Sequence, residues 1–319
     1  MSISLNGKKI VIFGGSGFIG KYLISRLSQF SCTIKVVSRN FKKVKKLRFL
    51  GNLGQIEIIK LNNFSEKSIS EKIIGSDIVI NLIGILYENK FQRFDNIHGE
   101  LPGIIGKASK QKGVSHVIHL SALGVEKNTQ SHYAKSKFLG EKNLKSEFPD
   151  ANILRPSVVF GKEDNFINLF AQMSNFSPFL PIIGDPKIIF KNKFIPILNF
   201  SEGTLFQPLY VGDLAEFIIK TINHKSRIYN LAGPNILNFK EIIKIILKYK
   251  KVRRLCIPVP FFLANLLASL LEKFPNPILT KDQVKLLKKD NISKTGYSNL
   301  SKHVRNPKSL EVIVPTYIT

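Results

Sequence analysis

A glycine-rich turn between an apolar strand and a helix, near the start of the 319-residue chain, is compatible with few folds. Lys9–Phe13 (KIVIF) is an apolar run with β-branched residues, which is typical of a strand buried on both faces of a parallel sheet. The run leads into Gly14, Gly17 and Gly20, spaced G-x-x-G-x-x-G, and then into a helical pattern. In this context the helix N-terminus presents N–H donors and partial positive charge to phosphates. We therefore predict that the loop binds a dinucleotide.

The three glycines have separate predicted roles. Gly14 allows the tight turn, Gly17 lets the backbone approach the pyrophosphate, and Gly20 lets the helix pack closely on the strand. A glycine-rich turn that binds nothing is the alternative, but the position between a strand and a helix favours binding. The predicted cofactor-binding loop consists of Gly14, Ser16, Gly17, Phe18, Ile19 and Gly20.

Strands alternate with helices through the first half of the chain, which indicates βαβ units. We predict an α/β protein with an NAD(P)-binding, Rossmann-like, doubly wound parallel sheet over residues 1–160. A smaller C-terminal α/β substrate-type domain over 161–319 is expected to pack on it, with part of its chain returning to the sheet. Further strands are predicted at 33–37, 56–61, 77–83, 117–120 and from 152, with helices at 41–50, 65–74, 101–112 and 132–148.

The alternation weakens in the second half. Asp213 and Glu216 have the N-cap and N3 spacing of a capping box, so a helix is predicted to begin at Asp213. A strand over 227–231, a helix over 239–248 and an apolar stretch over 257–274 come next.

The end of the second predicted strand indicates the coenzyme. An acidic residue there would bind the ribose 2′-hydroxyl of NAD, but this chain has Ser38 and Arg39. Arg39 can pair with a 2′-phosphate and Ser38 can add a hydrogen bond, which favours NADP(H) over NAD(H). The alternative for Arg39 is a solvated charge in a lysine-rich chain.

Three residues form a candidate catalytic set. Tyr133 and Lys137 are four residues apart on a predicted helix and so share one face. Lys137 near the phenol would lower the pKa of Tyr133 from about 10 and make it a usable acid or base. Ser121, after the fifth strand, would polarise a substrate carbonyl. A Y-x-x-x-K pattern also occurs by chance in a lysine-rich chain. The set therefore allows two interpretations, residues that only position the coenzyme or residues that catalyse a reaction.

The histidines and cysteines predict no metal site. His116 and His119 are three residues apart on a strand and so point to opposite faces, and His98 and His132 have no convergent ligands in the sequence. The two cysteines, Cys32 and Cys256, make neither a disulfide framework nor a zinc site, which indicates a reducing compartment.

Charge indicates what kind of partner to expect. The chain has 48 Lys and Arg against 22 Asp and Glu, a net charge of +26. Coding bias in an AT-rich genome explains part of the excess, yet a large positive field favours an anionic membrane or acidic partner. No specific nucleic-acid partner is expected, because no recognised nucleic-acid-binding motif accompanies the charge. The sequence has no run of 18 apolar residues, so no transmembrane helix is predicted.

The bias is strongest late in the chain, where residues from Lys240 onward include 16 basic and 5 acidic side chains. The basic segment 248–254 precedes the stretch 261–274, whose polar residues Asn265, Ser269 and Glu272 leave a broad apolar face. Two interpretations are open: a helix buried against the second domain, or contact with a membrane or partner.

Several motifs together resemble the short-chain dehydrogenase/reductase superfamily, in its extended and atypical branches. They are GGSGFIG, DIVINLIG (77–84), HLSALG with Ser121, YAKSK with Tyr133 and Lys137, LRPSVVFG (154–161) and QPLYVGDLA (207–215). The resemblance implies cofactor contacts from Asn62, which replaces the Asp of many members. It implies further contacts from Asn81, Gly84, Tyr133, Lys137 and Pro156.

The second half resembles more narrowly the alpha-subcomplex subunit 9 family of respiratory complex I, NADH:ubiquinone oxidoreductase. The matching segments are FGKEDNFIN, YNLAGPNILNFKEII, IPVPFFLANLLASLLEKFPNPILTKDQVKLL and the closing IVPTYI. This resemblance implies a tightly held NADPH, bound for structure, in an accessory or assembly subunit near the membrane and quinone site. The alternative is an NADP-dependent reductase, dehydrogenase or epimerase/dehydratase, with a link to ubiquinone biosynthesis. MSISLNGKK contains no targeting segment, so the expected location is cytoplasmic, peripheral on the cytoplasmic face of a bacterial inner membrane.

Overall fold

A computed structural model describes residues 5–40, 44–128, 130–184, 186–191, 195–200 and 203–318. The chain divides into two compact units. The first contains the residues up to Pro156 together with Val211–Leu231 and Thr295–Pro307, and the second contains Ser157–Tyr210, Ala232–Lys294 and the residues from Lys308. Neither unit is continuous in sequence, unlike the division at residue 160 read from the pattern.

A seven-stranded parallel sheet is the centre of the first unit, and it confirms the predicted α/β, Rossmann-like class. The strands are β1 (Lys9–Phe13), β2 (Thr33–Ser38), β3 (Ile56–Lys60), β4 (Ile78–Asn81), β5 (His116–Leu120), β6 (Asn152–Pro156) and β13 (Ile228–Leu231). Their order in the sheet is β13-β6-β5-β4-β1-β2-β3, so β13 is the segment of the second half that returns to the sheet.

The helices predicted in the first half are present apart from 41–50, and their bounds differ from the predicted ones mainly at the ends. The helices at 166–176, 281–287, 296–301 and 310–313 were not predicted. The α-helices are α1 (Phe18–Leu27), α2 (Glu66–Ile73), α3 (Leu101–Gln111), α4 (His132–Glu147), α5 (Phe166–Phe176), α6 (Val211–Lys220), α7 (Phe239–Lys250), α8 (Phe261–Leu271), α9 (Lys281–Leu287), α10 (Gly296–Ser301) and α11 (Leu310–Ile313). The helix predicted over 41–50 is a 3-10 helix at Lys45–Leu50 in the described residues, with 41–43 outside them. A π-helical segment, Asp95–Glu100, leads into α3.

Burial explains why the strand sequences are apolar on both faces. Ile10, Val11, Ile12 and Phe13 of β1 are fully buried, because helices cover both sides of a parallel sheet. One face packs under α2 and α3, where Ile69, Leu101 and Ile105 join Val11 and Phe13 in a core cluster. The position of β1 at the middle of the sheet places the glycine turn that follows it at the carboxyl edge.

The second unit is held by its own aromatic core and short sheets. Its strands are β7 (Val159–Phe160), β8 (Phe179–Ile183), β9 (Pro186–Lys191), β10 (Ile195–Phe200), β11 (Leu205–Phe206), β12 (Leu209–Tyr210), β14 (Leu237–Asn238) and β15 (Leu255–Val259). β8 pairs in parallel with β15, and β7 pairs in parallel with β12. Phe160, Phe170, Phe206 and Phe239 are buried in one cluster that includes α5 and α7.

The helix predicted to begin at Asp213 begins two residues earlier, at Val211. Asp213 therefore lies inside the first turn of α6, and the capping box predicted for Asp213 and Glu216 is wrong. Glu216 pairs instead with Arg26 and Lys220. Capping boxes are present at the N-termini of two other described helices: Asn238 with Glu241 caps α7, and Thr280 with Gln283 caps α9.

The apolar stretch 257–274 forms two elements, the end of β15 and helix α8. The residues of α8 that face its own unit are Ala264 and Ala268, which are fully buried, and Phe261, which is partly buried against the core. Its large apolar residues are exposed, among them Phe262, Leu266 and Leu270. The interpretation of α8 as a buried helix is therefore wrong. Within the described residues, no helix combines the length and apolar character needed to cross a bilayer.

Candidate nucleotide-binding site

The glycine loop joins β1 to α1 at the carboxyl edge of the sheet. Gly14 has a φ of +79°, and a Cβ there would lie 2.9 Å from both the nitrogen of Ile83 and the carbonyl carbon of Leu82. Both atoms belong to the backbone that leaves β4, so they cannot move aside as a flexible side chain would. Glycine at residue 14 is therefore required both by its conformation and by its surroundings.

The start of α1 packs against this loop. The Gly17 N–H donates to the Gly14 carbonyl over 3.0 Å, and Gly17 is the N-cap of the helix. A Cβ on Gly20 would lie 2.5 Å from the Cα of Gly15. The close packing predicted for Gly20 is thus against the loop backbone and not against the strand.

Helix α1 begins at Phe18 with no side-chain cap and no acidic residue in its first turn. The first N–H groups of a helix have no partners within it and carry partial positive charge. Ser16, Phe18 and Ile19 therefore surround a set of backbone donors suited to an anion. A pyrophosphate at this position would be bound by backbone amides, as the glycine spacing predicts.

The ends of β2 and β3 contribute the residues expected near the adenosine. Ser38 is the last residue of β2, and its Oγ accepts the Asn40 N–H at 3.3 Å. The exposed Arg39 guanidinium lies 5.4 Å from the ring centroid of Phe64. Asn62 is exposed two residues before Phe64. Phe64 was missed by the sequence reasoning, although an aromatic residue beside Asn62 was an available signal.

Asn81, the last residue of β4, fixes the orientation of a buried histidine. The Asn81 Oδ1 accepts the Ile83 N–H at 3.0 Å, which leaves its amide to donate to His119 Nδ1 at 3.2 Å. His119 is 1% exposed, and burial, reinforced by the charge of Lys137, lowers its pKa to about 3. The ring is therefore neutral with its proton on Nε2.

Lys137 of α4 reaches the carboxyl end of β5. Its Nζ donates to the Leu120 carbonyl over 3.0 Å, and the side chain is 4% exposed. Burial lowers the pKa of Lys137 to about 8, while Glu141 partly opposes this shift. A Cβ on Gly84 would lie 3.4 Å from Nζ, so Gly84 and Lys137 are close together at this edge.

His98 links the chain after β4 to α4, a role that the sequence analysis did not predict. Its Nε2 accepts the Ile85 N–H at 3.0 Å, so its proton is on Nδ1, which donates to the Ser136 Oγ at 3.2 Å. The Ser136 hydroxyl donates in turn to the Tyr133 carbonyl at 2.9 Å. Burial lowers the pKa of His98 to about 2, and Lys137 adds to the effect. A neutral ring therefore spans two elements of the site.

Tyr133 and Pro156 complete the set of predicted residues. The Tyr133 ring, half-buried in the first turn of α4, packs edge-on against His98 and Phe94, with ring centroids 5.1 and 5.8 Å away. Pro156 ends β6, and its carbonyl accepts the Leu123 N–H at 2.9 Å. Pro156 is thus connected to the chain that follows Ser121.

Two buried polar atoms at the end of β5 have no hydrogen-bond partner in the protein: Ser121 Oγ and His119 Nε2. Residues two apart on a strand face the same side, so both groups belong to one surface. Buried polar groups are rarely left unpaired, and such a pair indicates a bound group rich in oxygen. The ribose and carboxamide of a nicotinamide coenzyme have that chemistry, so the residues present fit the coenzyme. Asn81, Gly84, Lys137 and these two groups would hold its nicotinamide half, which supplies hydride chemistry when bound.

The sequence also missed a carboxylate partner for His132. Its Nε2 lies 3.0 Å from Asp95 Oδ1, and its Nδ1 lies 4.0 Å from Glu88 Oε2. Within the described residues, no group of three or more His, Cys, Asp or Glu side chains is arranged so that it could hold a metal ion.

Comparisons with known proteins identify a matching family and several relatives. The protein family described as NAD(P)H-binding matches residues 14–169, which include the glycine loop, Ser121, Tyr133 and Lys137. The chain is 29% identical over 314 residues to NADH dehydrogenase (ubiquinone) 1 alpha subcomplex subunit 9, mitochondrial, of Mus musculus, covering 97% of this chain and 79% of that protein. It is 30% identical over 300 residues to the protein of that name from Dictyostelium discoideum, covering 91% and 78%.

A solved structure supports the fold. The NADPH-dependent quinone oxidoreductase of Escherichia coli, solved in complex with NADPH, superimposes with a TM-score of 0.72 at 17% identity. The superposition covers 97% of this chain and all of that one. At this identity the likeness concerns the architecture alone.

The glycine loop generates the first prediction. Gly14→Ala should abolish NADPH binding, measured by isothermal titration calorimetry, because the added Cβ pushes the loop away from β4. Gly113→Ala is the matched control: its φ is +67°, yet no atom lies within 4 Å of the added Cβ. Gly113→Ala should lose about 1 kcal/mol of stability from the left-handed conformation. Gly14→Ala should lose more, because its Cβ also collides with the backbone after β4. Unchanged NADPH affinity in Gly14→Ala would contradict the proposed site.

Lys137 generates a prediction about pH. Its pKa is about 8 in the folded protein against 10.5 ordinarily, so the unfolded chain binds the proton more tightly. Stability should therefore increase as pH rises from about 8 to 10.5. Urea unfolding should therefore give a higher free energy of unfolding at pH 10 than at pH 7.5. Lys137→Met should lack the part of this difference that Lys137 contributes, which is at most about 3 kcal/mol. The exposed Lys110→Met should keep the wild-type difference; equal differences in all three proteins would refute the pKa assignment.

Proposed function

The chain belongs to the family of NADH dehydrogenase (ubiquinone) 1 alpha subcomplex subunit 9 proteins, and we propose that it is an NADP(H)-holding accessory or assembly subunit of respiratory complex I. The observation that carries the proposal is the extent of the match. It covers 91% of the chain and therefore includes both units, beyond the nucleotide-binding segment that many enzymes share.

The polar interior of the site supports a structural role for the nucleotide. Lys137 donates to a backbone carbonyl, and His98 holds the neighbouring loop as a neutral ring. Both groups already stabilise the junction of β4, β5 and α4 before any substrate binds. A coenzyme that pairs with Ser121 Oγ and His119 Nε2 would add to this junction, because it satisfies polar atoms that are otherwise buried without partners.

NADP(H) is the preferred coenzyme in this proposal. Arg39, packed on Phe64, carries the cation at the position where NAD-binding proteins place a carboxylate. A guanidinium forms strong charge-assisted hydrogen bonds with a phosphate. NAD(H) lacks the 2′-phosphate and would leave this cation without a ligand.

The second candidate is an enzyme of the short-chain dehydrogenase type, an NADP-dependent reductase, dehydrogenase or epimerase, with a link to ubiquinone biosynthesis. It is favoured by the complete set of Ser121, Tyr133 and Lys137, of which the Ser121 hydroxyl is buried and unpaired. A hydroxyl with no protein partner at a strand end can donate to a substrate oxygen.

The proposed location is the membrane that contains complex I, with the chain peripheral on the cytoplasmic face in a bacterium. The relatives from Mus musculus and Dictyostelium discoideum, both named as subunits of NADH dehydrogenase (ubiquinone), support the association. The bacterial host and the cytoplasmic side of the membrane are proposed from the sequence alone.

Coenzyme preference is tested with Arg39→Ala. Loss of the cation should weaken NADPH binding at least about tenfold and leave NADH binding nearly unchanged, as one charge-assisted contact is removed. Arg48→Ala, an exposed arginine of the same unit, should bind both coenzymes like the wild type. Equal losses for NADPH and NADH would contradict selection by Arg39.

The role in complex I is tested in the native host. The tagged chain, in membranes solubilised with mild detergent, should co-migrate with complex I on a native gel. Tyr133→Phe keeps the ring contacts with Phe94 and His98 and removes only the hydroxyl. It should therefore support wild-type complex I content and quinone levels. Migration as a free species would count against the accessory role, and a fall in quinone with complex I intact would favour the enzyme.

A further inference from the structure

Helix α8 has the reverse of the usual surface pattern. The side chains that face its own unit are the small residues Ala264 and Ala268, both fully buried, and Phe261, which is partly buried against the core. The opposite side carries the large apolar residues Phe262, Leu266 and Leu270, which are 74%, 59% and 53% exposed. A surface helix of a soluble protein normally buries its large apolar residues and exposes polar ones.

The exposed residues form one continuous face. Phe262, Leu263, Leu266, Leu267 and Leu270 follow each other at helical spacing on one side of α8, and all are exposed. Leu255 and Ile257, on one face of the preceding strand β15, and Phe274 after the helix are exposed as well. A helix face with five large exposed apolar residues is uncommon on soluble proteins, and such patches mark contact sites. We call these eight residues the apolar face.

A cationic groove lies in the same unit, immediately before β15 in sequence. It has a volume of about 450 Å³ and includes the apolar residues Leu247 and Val252. Its charged lining consists of Lys244, Lys248, Lys251, Arg253 and Arg254. Val252, Arg253 and Arg254 connect the groove directly to Leu255 of the apolar face.

The groove has no acidic counterpart in the described part of the chain. No ion pair joins Lys244, Lys248, Lys251 or Arg253 to a carboxylate there, and Arg254 donates to the Ser174 carbonyl. Lys288 lies 5.7 Å from the ring centroid of Phe261, at the start of α8. A further cation is therefore close to the first turn of the helix.

We propose that the apolar face and the cationic groove dock this unit on an anionic phospholipid bilayer. The helix would lie in the plane of the membrane with Phe262, Leu266 and Leu270 among the acyl chains. The groove would bind headgroup phosphates, to which each basic side chain near the surface adds attraction. This inference extends the proposed location by naming the surface and the lipid class.

Charge favours a bilayer over the other occupants of such a face. A second copy of the chain, paired through the same face, would bring two cationic grooves near each other, which like-charge repulsion opposes. The core of a protein interface is depleted of charge, whereas an interfacial helix combines an apolar face with basic residues. The observed arrangement is the latter.

The test uses purified full-length chain and flotation with lipid vesicles. Vesicles containing phosphatidylglycerol should bind the chain, and vesicles of phosphatidylcholine alone should bind it at least about tenfold less, because the basic groove gains attraction only from anionic headgroups. Phe262→Ser, Leu266→Ser and Leu270→Ser in one variant should lower binding to anionic vesicles at least about tenfold. Lys244→Gln, Lys248→Gln and Lys251→Gln in another should lower it similarly.

Matched controls change residues of the same type in the first unit. One carries Leu50→Ser, Leu53→Ser and Phe91→Ser, which are exposed, and the other carries Lys110→Gln, Lys112→Gln and Lys302→Gln, whose lysines are exposed as well. Both should bind anionic vesicles like the wild type. NADPH binding and melting temperature, measured for every variant, should stay unchanged, which separates loss of lipid binding from loss of fold or of the nucleotide site.

Three results would overturn the proposal. The first is equal binding of the wild type to neutral and anionic vesicles. The second is binding that both α8 and groove variants retain. The third is a dimer in analytical ultracentrifugation that the α8 variant abolishes while vesicles bind neither protein. None of these results bears on the nucleotide proposal, whose tests use no lipid.

Discussion

The close approach of two backbone segments at Gly14 organises the nucleotide-binding unit. The turn after β1 touches the backbone that leaves β4, with no room for a Cβ. This contact places the uncapped start of α1 directly over the carboxyl edge of the sheet, where the phosphate of a dinucleotide needs backbone donors. It also orients the chain after Asn81, so Gly84 and Ile85 lie against Lys137 and His98. One steric constraint thus connects the phosphate end of the site to the nicotinamide end.

The nicotinamide end depends on burial more than on charge. His98 and His119 are neutral because burial and the nearby lysine disfavour the protonated rings. Their tautomers are then set by single hydrogen bonds, from the Ile85 N–H to His98 and from the Asn81 amide to His119. The same burial lowers the pKa of Lys137 to about 8, so its amine loses its proton far more readily than an exposed lysine does. These neutral, hydrogen-bonded groups support the proposed structural role of the nucleotide, and the unpaired Ser121 hydroxyl supports the second proposal, an enzyme.

Sequence periodicity predicted the parallel sheet and the glycine loop well, because β1 is apolar on both faces and the loop has a required spacing. Periodicity gave a wrong prediction, or none, wherever contacts between distant segments determine the structure. The spacing of Asp213 and Glu216 matches a cap, yet α6 starts at Val211. Lone histidines carry no local signal, so the role of His98 appears only when β4 and α4 are brought together. For α8 the pattern shows a broad apolar face beside a narrow polar stripe, but it cannot show that Ala264 and Ala268 face the protein while the large apolar residues are exposed.

The account is tested most directly by identifying what the native protein contains. The chain is purified from its own membranes without added nucleotide and denatured in cold acid or alkali, and the released small molecules are quantified by mass spectrometry. The binding site described at Gly14, Arg39 and Lys137 predicts release of NADP(H), close to one molecule per chain and in excess over NAD(H). Release of no adenine-containing nucleotide, from protein that also fails to gain thermal stability with added NADPH, would contradict it.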